Sequence, residues 1–376
     1  MRLARHRAQT FRGAGLLLAL AMGCSAPPAP ATSPPPFHRD PVDLSQEWEL
    51  TSPDEVGVDA AALARALTVA SAISGLESAA VVRRGRLIAE WYRDPGTPDA
   101  VRAVRSVTKS MMSLLVGIAI ERGVLEGTSE HLASVFRPPL PALSGTQEEI
   151  TLEHLLTMSS GFEWNEAGNV AGYNDWVLAP DQIAYLLAQP ITSAPGTRWN
   201  YNSAAVHLLS AALEVSSDGG TEAFADEVLL GPLGIHQRAW EHDNRGIPNG
   251  GAGLSLRTRD LAKLGELVLQ RGRSGTAQIV PAEWVDASIT PSWAAVGGLP
   301  ATGTLDYGRL WWLGQLDGNA LTLGWGYGGQ LVAVLPALDL VVVTTARWQG
   351  LGAGAPAQTD AIAGWIAGVL RAVQAR

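Results

Sequence analysis

The stretch RSVTKSMMSLLVGIAIERG, residues 105–123, predicts the helix around which the chain folds. Its apolar residues cover nearly the whole circumference of a helix, and Gly123 predicts the end of that helix. A helix that is apolar on every side is normally buried, so we expect this one at the centre of the fold. Ser106 and Lys109 are three residues apart, which places both side chains on one face, one turn from each other.

Ser106 and Lys109 have the chemistry of a nucleophile and its base. A serine hydroxyl is a weak nucleophile until a nearby base removes its proton. A lysine acts as that base when burial lowers its pKa, and the apolar residues around Lys109 predict burial. Of the 27 lysines and arginines, only Lys109 and Lys263 are lysine. Because arginine keeps its proton in proteins, we interpret Lys109 as a base; the alternative is a helix-surface pair without chemistry.

Residues 1–23 have the features of a signal peptide. Four arginines accompany an apolar run at residues 13–22, which is too short to span a bilayer. The next residue is Cys24, the only cysteine, and residues 20–24 (LAMGC) resemble a bacterial lipobox with alanine in place of the usual leucine. We therefore expect export to the periplasm or the cell surface, with a lipid anchor on Cys24. The alternative is an ordinary signal peptide with an incidental cysteine.

Residues 24–45 are rich in proline, alanine and serine, which predicts an extended tether. Removal of residues 1–23, with their four arginines, takes the net charge from −9 to −13. Such an acidic chain argues against nucleic acid or anionic lipid as a partner and leaves only the N-terminal anchor for membrane contact. A single cysteine excludes a disulfide framework and thiolate metal sites, and we predict no metal and no cofactor.

Residues 46–376 predict one large domain. Residues 79–84 and 86–92 predict a hairpin around Gly85, and residues 310–315, 320–324, 330–335 and 338–345 predict an antiparallel meander. Residues from about 124 to 284 predict a mainly helical lobe between these strands. The expected fold is α/β (α+β), with an antiparallel sheet flanked by helices and an inserted helical lobe. Lys263 lies in an amphipathic helical stretch, 258–270, so Lys263→Arg is expected to be nearly neutral.

Four segments of the chain, taken in order, are SVTK (106–109), HLLTMSSGF (154–162), PGTRWNYNS (195–203) and GYGGQLVAVLPALDLVVV (326–343). They resemble the motifs of the serine β-lactamase-like hydrolases. This penicillin-recognising family includes class C β-lactamases, D-Ala-D-Ala carboxypeptidases, esterases and nylon-oligomer hydrolases. The resemblance covers about residues 50–370 and implies the β-lactamase fold for the whole domain.

The resemblance also implies roles for particular residues. Ser106 is the acylated nucleophile, Lys109 its base, and Tyr201 a proton shuttle whose phenolate form the nearby lysine favours. The backbone N–H groups of Ser106 and Gln330 form the oxyanion hole. The expected substrate-binding residues are Ser203, Trp325, Tyr327, Gly328, Gly329 and Tyr173. Glycines 328 and 329 alternatively mark a bulge, and Tyr173 belongs to an aromatic loop, 164–176, that is either a lid or packing.

Two departures from the family pattern bear on the substrate. Ser203 stands where an asparagine is usual, and Tyr327 stands where a lysine or histidine commonly binds a substrate carboxylate. We therefore expect a hydrolase of uncharged esters or amides, acting on small molecules or short peptides, unless Arg347 supplies the missing cation. The scheme needs no carboxylate, so Glu163 receives no role. The alternatives are a β-lactamase or D-Ala-D-Ala carboxypeptidase and, in another class, a non-catalytic surface lipoprotein that binds peptidoglycan or a partner.

Other hydrolase chemistries lack their sequence signals. The chain contains no G-x-S-x-G elbow for a Ser-His-Asp enzyme and no H-E-x-x-H zinc motif. His154 and His207 lie on predicted helices, where we interpret them as core or surface residues rather than bases.

The lipid anchor is directly testable. We expect the mature protein to partition into the detergent phase of a Triton extract, and Cys24→Ala to release it into the aqueous phase, because one lipidated cysteine is the only predicted attachment. Mature wild-type protein that is wholly aqueous and begins after Cys24 would refute the anchor and leave export intact.

Overall fold

A computed structural model describes residues 39–167 and 172–374. The strands are β1 (Leu76–Arg83), β2 (Arg86–Tyr92), β3 (Arg102–Ala103), β4 (Arg238–Trp240), β5 (Leu254–Leu256), β6 (Arg273–Ser274), β7 (Ala277–Gln278), β8 (Trp293–Leu299), β9 (Gly303–Tyr307), β10 (Trp312–Leu316), β11 (Asn319–Gly326), β12 (Gln330–Leu335) and β13 (Leu340–Ala346). The α-helices are α1 (Ala60–Ala70), α2 (Val107–Glu121), α3 (Leu132–Val135), α4 (Leu152–Leu156), α5 (Tyr173–Leu178), α6 (Gln182–Leu187), α7 (Ser203–Ser216), α8 (Gly220–Ala225), α9 (Thr258–Leu269), α10 (Ala282–Ser288) and α11 (Ala355–Gln374).

The main sheet has eight antiparallel strands in the order β2-β1-β13-β12-β11-β10-β9-β8. Strand β1 pairs with β13, so the early and late parts of the chain meet within one sheet. Helices α1 and α11 also pack together, and Trp365 Nε1 donates to the Ala66 carbonyl at 2.7 Å. The predicted α/β fold with an antiparallel sheet is therefore confirmed, as are its hairpin and its late meander.

Helix α2 is buried from Val107 to Ala119, as its all-apolar surface predicts. One side faces β11 and β12 of the sheet, and Ser110 Oγ donates to the carbonyl of Leu310, in the turn before β10, at 2.9 Å. The other parts contact the helical lobe and α10. At Gly117 a Cβ atom would lie 2.4 Å from Trp284 Cδ1, so only glycine lets the two helices approach this closely. The residues at the N-terminus of α2 are thereby fixed on all sides.

Strands β8 and β9, at one end of the main sheet, were not predicted. Strand β8 contains Gly297 and Gly298, is largely exposed, and its register with β9 shifts between Trp293 and Gly297. Glycine and exposure weaken the alternating apolar pattern that marks a strand, so these residues form a strand mainly because β9 offers a pairing edge.

The expectation for Lys263 is wrong. Helix α9 packs on β1, β12 and β13, but its polar side is also buried, and Lys263 is only 1% exposed. The Lys263 ammonium donates to the Leu233 carbonyl at 2.8 Å. A larger guanidinium has no space there without displacing neighbours, so Lys263→Arg is not a neutral change.

The predicted tether ends earlier than residue 45. Leu44 is buried and its N–H donates to Ser274 Oγ at 2.8 Å, while Arg39 forms ion pairs with Asp339 and with Glu266 of α9. Residues 39–45 are therefore part of the folded domain. The predicted signal peptide, Cys24 and the rest of the tether lie outside the described residues. No helix in the described ranges is both long enough and apolar enough to cross a membrane.

Candidate active site

Ser106 and Lys109 meet at the N-terminus of α2. Ser106 is the N-cap residue, and Lys109, one turn later, is 1% exposed. The Lys109 Nζ atom lies 2.8 Å from Ser106 Oγ and 2.5 Å from the carbonyl oxygen of Gly251. The structure therefore brings the predicted nucleophile and the predicted base into hydrogen-bonding contact.

Burial lowers the pKa of Lys109 to about 7. The negative charge of Glu166 opposes this shift, and the positive charge of Arg105 adds to it. Near neutral pH a large fraction of the amine is therefore unprotonated and able to accept the proton of Ser106. A lysine with its ordinary pKa would be almost wholly protonated and would not act as a base.

Tyr201 lies over the catalytic pair, in the segment just before α7. The Lys109 Nζ atom is 4.9 Å from the centre of its ring. Burial, reinforced by the charge of Glu166, raises the pKa of Tyr201 well above its usual value. The expected phenolate is therefore wrong: Tyr201 is a neutral phenol, held where it is able to donate a proton.

Tyr201 also belongs to an aromatic wall. Its ring stacks on Trp312 with the ring centres 5.9 Å apart, and Trp312 contacts Trp325 at 5.1 Å. Trp199 and Tyr307 pack against the same group. This places the predicted substrate-binding residue Trp325 in an apolar cluster that includes Tyr201.

Glu166 is a site residue that sequence reasoning missed. It accepts hydrogen bonds from Trp164 Nε1 at 2.6 Å, from the Ser203 N–H at 3.0 Å and from the Ser203 hydroxyl. Ser203 is fully buried, so its hydroxyl binds Glu166 and the predicted contact of Ser203 with substrate is not supported. The one sequence signal for Glu166 was serine in place of the usual asparagine at position 203. A serine side chain is smaller than asparagine, which leaves room for a second polar group such as the Glu166 carboxylate.

Arg105 was also missed. It directly precedes the nucleophile, has a positive φ of 50° and is 9% exposed. Its guanidinium donates to the Tyr173 hydroxyl at 2.9 Å and lies 4.1 Å from the centre of the Trp348 ring. Tyr173, predicted to bind substrate, therefore holds Arg105. Non-glycine residues with positive φ are uncommon and often occur at functional sites.

The third predicted motif forms the turn between β11 and β12. Tyr327 is 43% exposed and its hydroxyl donates to the Gly352 carbonyl at 3.0 Å, so it does not replace the family's cation. Gly328 and Gly329 have positive φ, and Leu351 and Ile362 occupy the space that their side chains would need. These glycines are thus required for the turn and its packing, and their contact with substrate stays a prediction.

The two predicted oxyanion donors are the backbone N–H groups of Ser106 and Gln330, and their surroundings differ. Within the described residues the Ser106 N–H has no hydrogen-bond acceptor, as a donor awaiting an oxyanion requires. Gln330 is fully buried in the β11–β12 ladder opposite Gly326, and its side chain binds the backbone of Ala346. The Gln330 N–H as an oxyanion donor stays a prediction.

Arg347, the cation considered from the sequence, points elsewhere. Its guanidinium donates to the Ser74 carbonyl at 3.4 Å, before β1. This exposed side chain therefore contacts the segment before β1, and no contact with Ser106 is seen among the described residues.

Comparisons with known proteins agree with the fold and its motifs. The family model described as Beta-lactamase matches residues 61–364. Esterase EstB of Burkholderia gladioli is 28% identical over 257 residues, which are 63% of this chain and 64% of the esterase. The chain thus spans slightly less than two thirds of that relative. The 6-aminohexanoate-dimer hydrolase of Paenarthrobacter ureafaciens is 25% identical over 287 residues, 71% of each chain. A penicillin-binding protein homologue from Pyrococcus abyssi superimposes with a TM-score of 0.65 at 18% identity, covering 85% of this chain and 78% of the other.

The Lys109 amine gives a prediction for pH and for two substitutions. The rate of Ser106 acylation is expected to fall about tenfold per pH unit below pH ~7, because protonation removes the base. Lys109→Arg is expected to be nearly as inactive as Lys109→Ala, since a guanidinium keeps the charge but does not accept a proton. Acylation rates of the three proteins from pH 5 to 9 measure both effects. Wild-type rates in Lys109→Arg would show that the residue is a structural cation.

Proposed function

The chain belongs to the Beta-lactamase family, and we propose that it is a serine hydrolase acting through an acyl-enzyme on Ser106. The observation that carries the proposal is the 2.8 Å contact between Ser106 Oγ and a buried amine with a pKa of about 7. Among the relatives, one is named an esterase and another a dimer hydrolase, which supports hydrolysis as the reaction class.

The reaction begins with proton transfer from Ser106 to the neutral Lys109 amine. Ser106 Oγ then attacks the substrate carbonyl carbon, and the negative charge on the carbonyl oxygen is stabilised by the backbone N–H groups of Ser106 and Gln330. Neutral Tyr201 donates a proton to the leaving atom and regains one from the Lys109 ammonium. Water attacks the acyl-enzyme by the same transfers in reverse, releasing the acid and restoring Ser106.

The aromatic wall favours esters and amides with apolar groups. Tyr201, Trp312 and Trp325 present a continuous apolar surface next to the nucleophile. Tyr327 carries no positive charge and Arg347 binds Ser74, so neither supplies a cation for a substrate carboxylate. An uncharged small-molecule ester or amide is therefore the first candidate substrate. Export and a lipid on Cys24 remain proposals from the sequence.

An activated-serine probe tests the reaction class and excludes the non-catalytic lipoprotein. We expect a fluorophosphonate to label Ser106, and Ser106→Ala to lose at least about 10⁴-fold in kcat toward a short-chain p-nitrophenyl ester. Tyr201→Phe should lose most turnover while its circular dichroism spectrum is unchanged. An adduct mapped by mass spectrometry to another serine would refute the assignment of Ser106.

A second candidate is a substrate that carries a carboxylate, as β-lactams and D-Ala-D-Ala peptides do, and Arg105 favours it. Among the described residues no aspartate or glutamate forms an ion pair with Arg105. The rest of the sequence, residues 1–38, 168–171 and 375–376, contains no aspartate and no glutamate. Its buried Nε atom also has no hydrogen-bond partner in the described part of the chain. Buried charges in proteins are normally paired, so an anion from outside the chain is a fitting partner.

Matched esters separate the two candidates. The butyrate esters of 3-hydroxybenzoic acid and 3-hydroxybenzamide differ only in a carboxylate, and nitrocefin adds a β-lactam. If Arg105 binds the carboxylate, Arg105→Gln should lower the kcat/KM ratio of the acid to the amide by about tenfold or more, because hydrogen bonds to charged groups are the stronger ones. Any change that Arg105→Gln causes in Lys109 affects both esters equally, so it cancels in this ratio. Arg347→Ala is the control and should leave it unchanged. An equal ratio in wild type and Arg105→Gln would favour the uncharged substrate.

A further inference from the structure

A buried imidazole–carboxylate pair lies behind Lys109 and has no part in the proposed reaction. The side chains of His207, on α7, and Asp243, after β4, are fully buried, with His207 Nε2 3.0 Å from Asp243 Oδ2. The Gly250 N–H donates to His207 Nδ1 at 3.4 Å. Because Nδ1 accepts this hydrogen bond, the ring proton is on Nε2 and is donated to Asp243. Both partners thus fix one tautomer of a neutral imidazole.

This pair is not the base of a Ser-His-Asp enzyme. Both ring nitrogens of His207 are engaged, one by Asp243 and the other by a backbone N–H. The Trp176 ring packs against the imidazole with the centres 5.6 Å apart. Neither nitrogen is therefore available to Ser106. Any effect of the pair on the reaction has to pass through the residues that it contacts.

What the pair holds is the segment that contacts Lys109. Asp243 Oδ1 accepts from the N–H groups of Arg245 at 2.8 Å and Ile247 at 2.9 Å, which closes the turn before this segment. One residue after Gly250, the Gly251 carbonyl accepts the hydrogen bond from Lys109 Nζ. The segment has no slack, since a Cβ atom on Gly251 would lie 2.6 Å from the Ser203 carbonyl oxygen. The contacts form one continuous chain from Asp243 to the catalytic amine.

We propose that His207 and Asp243 are positioning residues that orient the Lys109 amine through the Gly250–Gly251 segment. A neutral amine has two N–H bonds and one lone pair. When one N–H is donated to the Gly251 carbonyl, the nitrogen is held with its lone pair available to Ser106 Oγ. Displacement of that carbonyl leaves the amine without a fixed orientation and leaves its ammonium form without its best acceptor. The inference rests on the proposed function, in which Lys109 is the base.

The other groups that act on Lys109 belong to different segments. Glu166 lies in the loop before α5, Arg105 precedes the nucleophile, and the Tyr201 ring covers the amine. None of them hydrogen-bonds His207 or Asp243. The hydrogen bonds that lead from Asp243 to Lys109 therefore run through His207, Gly250 and the Gly251 carbonyl.

Asp243→Asn tests this with almost no change of shape. The new amide oxygen still accepts from Arg245 and Ile247, but its NH₂ group faces His207 Nε2 and makes that atom an acceptor. The ring proton then moves to Nδ1, where it opposes the Gly250 N–H. We expect the plateau rate of fluorophosphonate labelling at Ser106 to fall about 10–100-fold, by analogy with the loss of groups that orient metal-binding side chains. The midpoint of the Lys109 titration should move down by about 0.5–1 pH unit, because the ammonium loses its acceptor.

The two lysines of the chain make this midpoint directly observable. Protein labelled with ¹³C at lysine Cε gives two lysine signals, and Lys109→Arg identifies that of Lys109. His207→Gln is a second variant, which keeps a donor for Asp243 but loses the acceptor for Gly250, and should shift the midpoint in the same direction. The matched control is Ser78→Ala, which removes buried hydrogen bonds to Thr258 and Thr345 away from Lys109.

The outcomes separate positioning from general stability and from the proposed function. A lower melting temperature with an unmoved Lys109 midpoint in Asp243→Asn and His207→Gln, as expected for Ser78→Ala, would overturn the proposal. A moved midpoint with a reduced plateau supports it. If wild-type Ser106 is not labelled at all, the proposed function fails, and the inference that His207 and Asp243 position a catalytic base fails with it. A shifted signal would then show only a structural link.

Discussion

The contact between the buried Lys109 amine and the Ser106 hydroxyl is the constraint on which the rest of the structure depends. An amine inside a protein loses most of the hydration that stabilises its charge, so its pKa falls to about 7 and it becomes a base. The buried amine is stabilised because it donates a hydrogen bond to the Gly251 carbonyl and the Tyr201 ring covers it. Helix α2 supplies the burial, which is why the most apolar helix of the chain carries the catalytic pair.

Two charges of opposite sign act on this amine from either side. Glu166 favours the protonated form and Arg105 favours the neutral form. Each is fixed by its own neighbours, Glu166 by Ser203 and Trp164, and Arg105 by Tyr173 and Trp348. The aromatic loop therefore does more than pack the helical lobe: it sets the positions of charges that decide how much of the lysine is unprotonated.

The sheet brings the parts of this site together although they are far apart in the sequence. Pairing of β1 with β13 joins the two ends of the domain, and β11 and β12 place the Trp325–Gln330 turn near the start of α2. A Cβ atom on Gly326 would lie 2.4 Å from the Val104 carbonyl, which shows how closely the turn approaches the segment before Ser106. Helix α7 completes the site from the lobe, since Tyr201 directly precedes its N-cap residue and His207 lies in its second turn.

The sequence by itself determined the central helix, the Ser106–Lys109 pair, the hairpin, the late meander and the position of Tyr201 in its motif. These follow from local patterns: an apolar circumference, a three-residue spacing, and alternation around Gly85. The sequence did not determine the protonation of Tyr201, the burial of Lys263, the strands β8 and β9, or the roles of Glu166, Arg105 and the His207–Asp243 pair. Charge, burial and strand pairing at an edge depend on neighbours distant in the chain, and an electrostatic shift depends on distances that only the folded structure fixes. The residues that can do the chemistry were therefore readable in advance, while the surroundings that tune them were decided by tertiary packing.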